Sequence, residues 1–302
     1  MINKSLFIIM ICGFLMGSCK VKGGLPKTNG ELYSDFSYVP IDPLPIFEDY
    51  GKDCSPDSKF KDLLESLPDQ SVRLAIVQLN GKGSASYGPA SIGYENNYYK
   101  VVLDYINVDV AQLPVYVKRI STENKGQTFS LYDESLELNT KYIVTKATKV
   151  NPYKKSTISE FSKDDSAGEL IIVPVYVGVG LRLTASIKVI KGNVNLSSLG
   201  SLAAAAEAGK LTGSLTVQTL GITGSNVSSS LPLPSEINQT TIQNAILSLG
   251  SIKAAMYNAD NTFIDPRVVG IYNPIGGGNE VVNGIISVLA EEPITWYRPC
   301  IK

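Results

Sequence analysis

Residues 173–189 read VPVYVGVGLRLTASIKV. Every odd position is apolar: Val173, Val175, Val177, Val179, Leu181, Leu183, Ala185, Ile187 and Val189. The even positions hold Pro174, Tyr176, Gly178, Gly180, Arg182, Thr184, Ser186 and Lys188, which are mostly small or polar. A period of two sustained this long is the mark of a β-strand with one buried face. At about 3.3 Å per residue the stretch would run roughly 56 Å, longer than a usual strand. A bend or bulge is therefore expected at Gly178 or Gly180.

The neighbouring segments extend this pattern. Residues 71–79, 98–110, 115–120, 142–150, 211–222 and 268–272 are rich in β-branched and aromatic side chains and read as further strands. Helices are expected over 55–67, where Phe60, Leu63, Leu64 and Leu67 share a face, and over 199–208, capped by Ser197 or Ser198. The longest runs over 238–257, with Ile242, Ala245, Ile246, Leu249, Ile252 and Met256 on one stripe; a last one starts at Asn279 and ends near Leu289. Strands with interspersed helices and no regular βαβ alternation imply an α+β fold: a mostly antiparallel β-sheet with three to four amphipathic helices packed on it. Residues 53–302 fit one domain, with a candidate sub-domain seam near 160.

Composition narrows the chemistry. The 302 residues carry 27 basic and 28 acidic side chains, a net charge of -1, so no basic surplus points to nucleic acid. With 44% hydrophobic and 18% charged residues the chain can bury a core. It has no histidine, which removes the commonest general base and the commonest zinc ligand. No cofactor or metal is expected, and no nucleic-acid partner.

The N-terminus addresses the chain to the envelope. Lys4 supplies a positive charge, and residues 6–16 (LFIIMICGFLM) form an apolar run too short to cross a bilayer as a helix. Residues 1–18 therefore read as a signal peptide. Leu15-Met16-Gly17-Ser18-Cys19 resembles the lipobox of bacterial lipoproteins, with Met16 where that motif prefers leucine. The resemblance implies cleavage before Cys19, acylation of Cys19 and anchoring through acyl chains. By the same resemblance, lysine at position 20 favours the outer over the inner membrane. Residues 19–52, rich in Gly and Pro, read as a tether, although Ile41, Leu44, Ile46 and Phe47 are apolar enough to form an edge strand. Of the four cysteines, Cys12 leaves with the signal and Cys19 is the lipid site, so Cys54 and Cys300 remain as a disulfide pair in an oxidising compartment.

Catalytic motifs are incomplete. Ser58 and Lys61 form an S-x-x-K, one helical turn apart, without the companion elements of serine–lysine enzymes. Gly276-Gly277-Gly278 precedes a helix start but lacks a phosphate-loop lysine, and Gly178 and Gly180 lack the third glycine of a dinucleotide turn. Two acidic groups, Asp133, Glu134 and Glu137, then Asp164, Asp165 and Glu169, hold the residue types of a glycosidase pair. Asn258, Asp260 and Asp265 are oxygen donors without EF-hand spacing. Asp165-Ser166-Ala167 resembles the O-glycosylation tripeptide of some exported bacterial proteins. Tyr94, Tyr98, Tyr99, Trp296 and Tyr297 are candidates for a ligand face, or for packing at sheet edges.

No residue is assigned a catalytic role. The expectation is a lipid-anchored envelope protein acting as a non-enzymatic binding or assembly module, its partners the membrane and an envelope protein or glycan. The alternatives are a pore-forming or secretion-associated protein using the strand–helix–strand region 173–222, and a carboxylate-dependent hydrolase.

Overall fold

The computed structural model describes residues 38–50, 67, 69–79, 85–87, 92–122, 127–129, 131, 140–147, 168–256, 262–273, 275 and 278–298. In chain order the first strands are β1 (Tyr38–Leu44), β2 (Phe47–Tyr50), β3 (Asp69–Leu79), β4 (Ala85–Tyr87), β5 (Ile92–Gly93), β6 (Tyr98–Ser121), β7 (Thr128–Phe129) and β8 (Thr140–Lys146). They are followed by β9 (Glu169–Val189), β10 (Val194–Asn195), helix α1 (Leu199–Glu207), β11 (Leu211–Leu220), β12 (Ile222–Gly224) and α2 (Ser225–Ser230). The remainder comprises β13 (Ser235–Glu236), α3 (Gln239–Met256), β14 (Thr262–Ile264), β15 (Arg267–Tyr272), α4 (Gly278–Glu291) and β16 (Thr295–Arg298). The architecture is α+β and its sheet is mostly antiparallel. Of the helix expected over 55–67 only Leu67 is described, and it is buried but not helical; the rest of it and the seam near 160 lie outside the described residues.

One ten-stranded sheet carries the molecule, with main path β1-β15-β9-β6-β3-β4. Its axis is the antiparallel ribbon of β6 and β9, paired without interruption from Tyr98↔Lys188 to Val117↔Glu169. Each outer edge of this ribbon is shared by two shorter strands. Beside β6 they are β3, up to Val108, and β8, from Val115. Beside β9 they are β15, up to Gly178, and β11, from Gly180.

That division explains the prolines. The sequence predicts separate strands over 98–110 and 115–120; the structure runs straight through both, Pro114 included, as one strand. Pro114 lies past the last residue of β6 paired with β3 and next to the first paired with β8; it gives no N–H to the ladder, but its carbonyl accepts from the Ala147 N–H at 3.1 Å, which keeps the strand joined there. Pro174 likewise falls just past the last residue of β9 paired with β15. The prolines of β1 lie in the edge strand of the main path. Residues 38–50, expected as the far part of a tether with an edge strand in reach of Ile41, Leu44, Ile46 and Phe47, form β1, an end strand paired with β15, and β2, paired in parallel with β16.

The bulge expected at Gly178 or Gly180 is not there; β9 keeps its register on β6 throughout. The irregularity falls on β15, where Val268 faces Val177 and Gly270 faces Tyr176, leaving Val269 out of the ladder. The glycines serve close approach instead. A Cβ on Gly178 would lie 2.8 Å from the Val108 Cα, and one on Gly180 would lie 2.8 Å from the Ile106 Cα, with backbone oxygens of β6 nearer still.

The odd face of β9 carries the main core. Val173 to Leu181 pack with Val39, Ile41, Leu113, Val115, Val117 and Trp296, covered by α4 through Val281, Val282, Ile285 and Leu289. Leu183 to Val189 pack with Val101, Leu211 and Leu215 beneath α1 and α3, through Leu202, Ile242 and Ala245. Each such side chain fully removed from water stabilises the fold by roughly 1.5–3 kcal/mol. α1 is capped by Ser198, whose Oγ accepts from the Ser201 N–H. α3 starts with a reciprocal cap: the Thr241 N–H donates to Asn238 Oδ1 and the Asn238 N–H to Thr241 Oγ1. Among the described residues no helix is long and apolar enough to cross a membrane.

Candidate functional site

The even face of β9, polar in sequence, is the surprise: Tyr176, Arg182 and Thr184 are buried along with the odd residues. The sheet folds over this face so that β1, at one edge, comes close to β3 near the other; Arg73 of β3 lies over the Tyr38 ring of β1 at 5.5 Å and over the Tyr176 ring at 4.3 Å. Tyr38 also meets Tyr176 edge-to-face with centroids 5.3 Å apart. Ala75, Val102, Ile106, Val108, Leu220 and Val269 complete this second core.

At its centre is an ion pair. β6 and β9 register places Asp104 opposite Arg182, at 0% and 4% side-chain exposure. Arg182 Nε donates to Asp104 Oδ1 and Nη2 to Oδ2, both at 2.7 Å, a bidentate geometry. The remaining arms satisfy carbonyls that strand irregularities leave over. Nη2 also donates to the Val269 oxygen at 2.8 Å, the residue β15 bulges out, and Nη1 to the Ile41 oxygen at 2.7 Å, within the register shift of β1. The Tyr38 hydroxyl donates to Asp104 Oδ2 at 2.5 Å and lies 3.4 Å from the Val269 oxygen.

Electrostatics follow from this geometry. Burial, and then the neighbouring Asp104 charge, push the Tyr38 hydroxyl far above its ordinary pKa, so it stays a donor. Burial works against the Arg182 charge, but the hydrogen bonds and charge of Asp104 outweigh it and raise its pKa further. Asp104 has both oxygens occupied by donors. The cluster therefore fastens β1 and β15 to the ribbon and holds its protons tightly, which suits a structural clasp rather than proton transfer.

Other charged groups brace elements in the same way. Glu169 accepts from the Leu131 N–H, Glu280 of α4 from the Tyr142 N–H of β8, and Asp109 from the indole N–H of buried Trp296 at 2.9 Å. Asp265 pairs with Arg267, and Lys146 with Glu292 at 2.6 Å. Lys253 of α3 donates to the Tyr105 hydroxyl at 2.9 Å.

The aromatic candidates divide by alternation. Tyr99 is buried on the odd face, its hydroxyl accepting from the Tyr94 N–H at 2.9 Å, whereas Tyr98 is exposed on the even face beneath Lys188. Trp296 is buried and Tyr297 exposed. The five do not make one ligand face. Glu169 and Asp265 are described, but their expected companions Asp133, Glu134, Glu137, Asp164, Asp165, Asn258 and Asp260 lie outside the described residues. So do Cys19, Cys54, Cys300, Ser58, Lys61 and the tripeptide 165–167. Among the described residues, no three His, Cys, Asp or Glu side chains gather as a metal site would require.

Sequence reading missed the clasp. Arg182 and Asp104 are isolated charges inside β-branched runs, and that is the available signal: a lone charge in a buried strand needs a partner. Its partner is 78 residues away and only register brings them together. The chain matches no family model, no curated protein and no solved structure.

Proposed function

We propose that the chain is a cell-envelope lipoprotein, anchored by acyl chains on Cys19, whose folded part is a non-enzymatic binding or assembly module. The observation that carries this reading is how the ordered part spends its charges. Asp104, Asp109, Glu169, Glu280 and Glu292 are each bound to a cation or N–H of another element. Carboxylates committed to holding a sheet together make a rigid scaffold, and a scaffold on a tether acts through its surface. Pore formation by 173–222 would require β9 to leave β6, β11 and β15 and expose a strand buried on both faces. The three to four amphipathic helices of this module include α1, α3 and α4, each with apolar residues in the core beneath it.

The outer membrane is the proposed location, and an envelope protein or glycan the partner class. A Cys54–Cys300 disulfide belongs to the same reading. β2 and β16 pair in parallel from Phe47↔Thr295 to Tyr50↔Arg298, close in sequence to both cysteines.

The test is palmitate labelling of the expressed chain and of Cys19→Ala, followed by crosslinking in intact cells. Label on the wild type alone, with a discrete crosslinked envelope species, is the expected result. An unlabelled chain, or a purified chain that turns over an envelope polymer, refutes the reading.

A further inference from the structure

The even face of the sheet changes character toward the C-terminal end of β9. The row just past the clasp, Thr184, Val102 and Ala75, is still buried, as is Val77 beside Lys100; beyond them the face is exposed at Ser186, Ser214, Thr212, Tyr98 and Leu79, and register arranges these residues in rows. One row runs Thr212, Lys188, Tyr98 and Leu79 across β11, β9, β6 and β3; the next runs Ser214, Ser186 and Lys100 over the same first three strands. Beyond the end of the ladder the Ile190 N–H donates to the Lys210 carbonyl, bringing those two residues side by side. Leu79, Tyr98 and Ile190 are 37%, 48% and 43% exposed. Lys188 sits with its ammonium 5.3 Å from the Tyr98 ring centroid, and Lys100 lies one row inward. Lys191 is exposed next to Ile190. The acidic residues nearby are fewer: Glu236, paired beside Ser214 at the rim, and Glu95, whose carboxylate accepts from the Gly192 N–H.

We infer that this sheet end is a peripheral docking surface for an anionic lipid membrane. Exposed aliphatic and tyrosine side chains interleaved with lysines are the composition of an interfacial contact. The apolar groups enter the headgroup boundary, tyrosine keeps its hydroxyl at the water side, and lysines meet lipid phosphates. An acidic glycan would meet the lysines and hydroxyls but leave Leu79 and Ile190 without a partner, so the aliphatics decide for lipid. The inference does not depend on acylation. If Cys19 is acylated, residues 20–37 can span up to about 60 Å, enough for the ordered part to lie down on the same membrane. The surface would then set the orientation in which the opposite face is presented.

The experiment is flotation of the full chain carrying Cys19→Ala with vesicles of phosphatidylcholine alone or in equal parts with phosphatidylglycerol. The N-terminal apolar segment is common to all variants, so differences between variants report the surface. Binding to the anionic vesicles is expected to exceed that to the zwitterionic ones, and to weaken as salt shortens the Debye length from about 10 Å to about 3 Å. K100E/K188E should lower the partition coefficient by at least about thirtyfold, since each lysine lost near an anionic surface removes about fivefold and each glutamate adds repulsion. Ile190→Ser should lower it severalfold while leaving the salt dependence unchanged, and Lys141→Glu, at the far end of the sheet on β8, should leave binding as it was. Equal binding of K100E/K188E and the parent overturns the inference. So does retention on an acidic polysaccharide column with no preference for anionic vesicles. Loss of palmitate label in the wild type refutes the acyl anchor alone, and vesicle binding by the Cys19→Ala chain stands or falls separately.

Discussion

Asp104→Asn tests the clasp most directly. The substitution keeps the side-chain shape and removes the charge, leaving the Arg182 guanidinium buried with no counter-charge. It also places an amide group where Oδ1 or Oδ2 now accepts from Arg182 and Tyr38, so a donor comes to face a donor. Taking one partner from a buried pair costs about 3–5 kcal/mol, largely because the remaining ion stays desolvated. A protein of this kind has about 5–15 kcal/mol in total, so the loss is a large share of its stability. Arg182→Met should cost at least as much, because the Ile41 and Val269 carbonyls each lose a donor, at about 1–3 kcal/mol per buried group. The double variant has no buried charge at this site, so its cost should fall below the sum of the singles by roughly 2–3 kcal/mol. Urea titration supplies the assay, with Trp296 fluorescence and far-UV circular dichroism as paired probes; Trp296 is the single tryptophan and is buried in the main core. Single variants costing under about 1 kcal/mol with additive effects would refute the argument, since that result means water reaches and screens the pair.

Three further expectations follow from the same geometry. Tyr38 titrates higher in the folded chain than its ordinary value of 10.0, so its contribution is complete below about pH 10 and is lost as pH rises beyond it; Tyr38→Phe should flatten the alkaline limb of a stability–pH curve while costing about 1.5–3 kcal/mol at neutral pH. Gly180→Ala forces a methyl group against the β6 backbone and should cost about 3 kcal/mol, whereas Gly250→Ala, in the interior of α3 with open space around it, should stabilise by about 0.5–1 kcal/mol in thermal melts. If Cys54 and Cys300 are bridged, reduction or Cys54→Ser should remove up to about 4–5 kcal/mol and slow the chain on a non-reducing gel; two titratable thiols in the exported native protein would dismiss the bond.

The sheet's strands were legible because alternation is a local property, and each strand carries it whole. Residues 173–189 announce a strand and its odd face correctly, since Val173 to Val189 need no knowledge of their neighbours. What alternation cannot report is whether the second face is also covered. That depends on β1 and β3, which lie more than 90 residues upstream, closing over Tyr176 and Arg182. Arg182 therefore read as a solvated charge, and the clasp stayed hidden, because its acid, its hydroxyl and its two carbonyls come from three other strands, β6, β1 and β15.

Proline misled in the opposite sense. Pro40, Pro43 and Pro45 suggested a tether, because prolines in a run favour an extended, stiff segment. The extended backbone those residues favour was the sound part of the inference. The structure places Pro40 and Pro43 in β1, at one end of the main path, and Pro114 where β6 passes from β3 to β8, its carbonyl still bonded by the Ala147 N–H. In this chain a proline inside a β-rich run marks the edge of a ladder rather than the end of a strand. A lone charge inside such a run marks where a ladder is irregular: Arg182 sits opposite the misfit carbonyls of β1 and β15 because only a planar group with several donors can satisfy both and still hold Asp104. Replacing Arg182 by lysine should accordingly fail to restore the clasp, since one ammonium on a flexible stem cannot span the same three acceptors in their fixed directions.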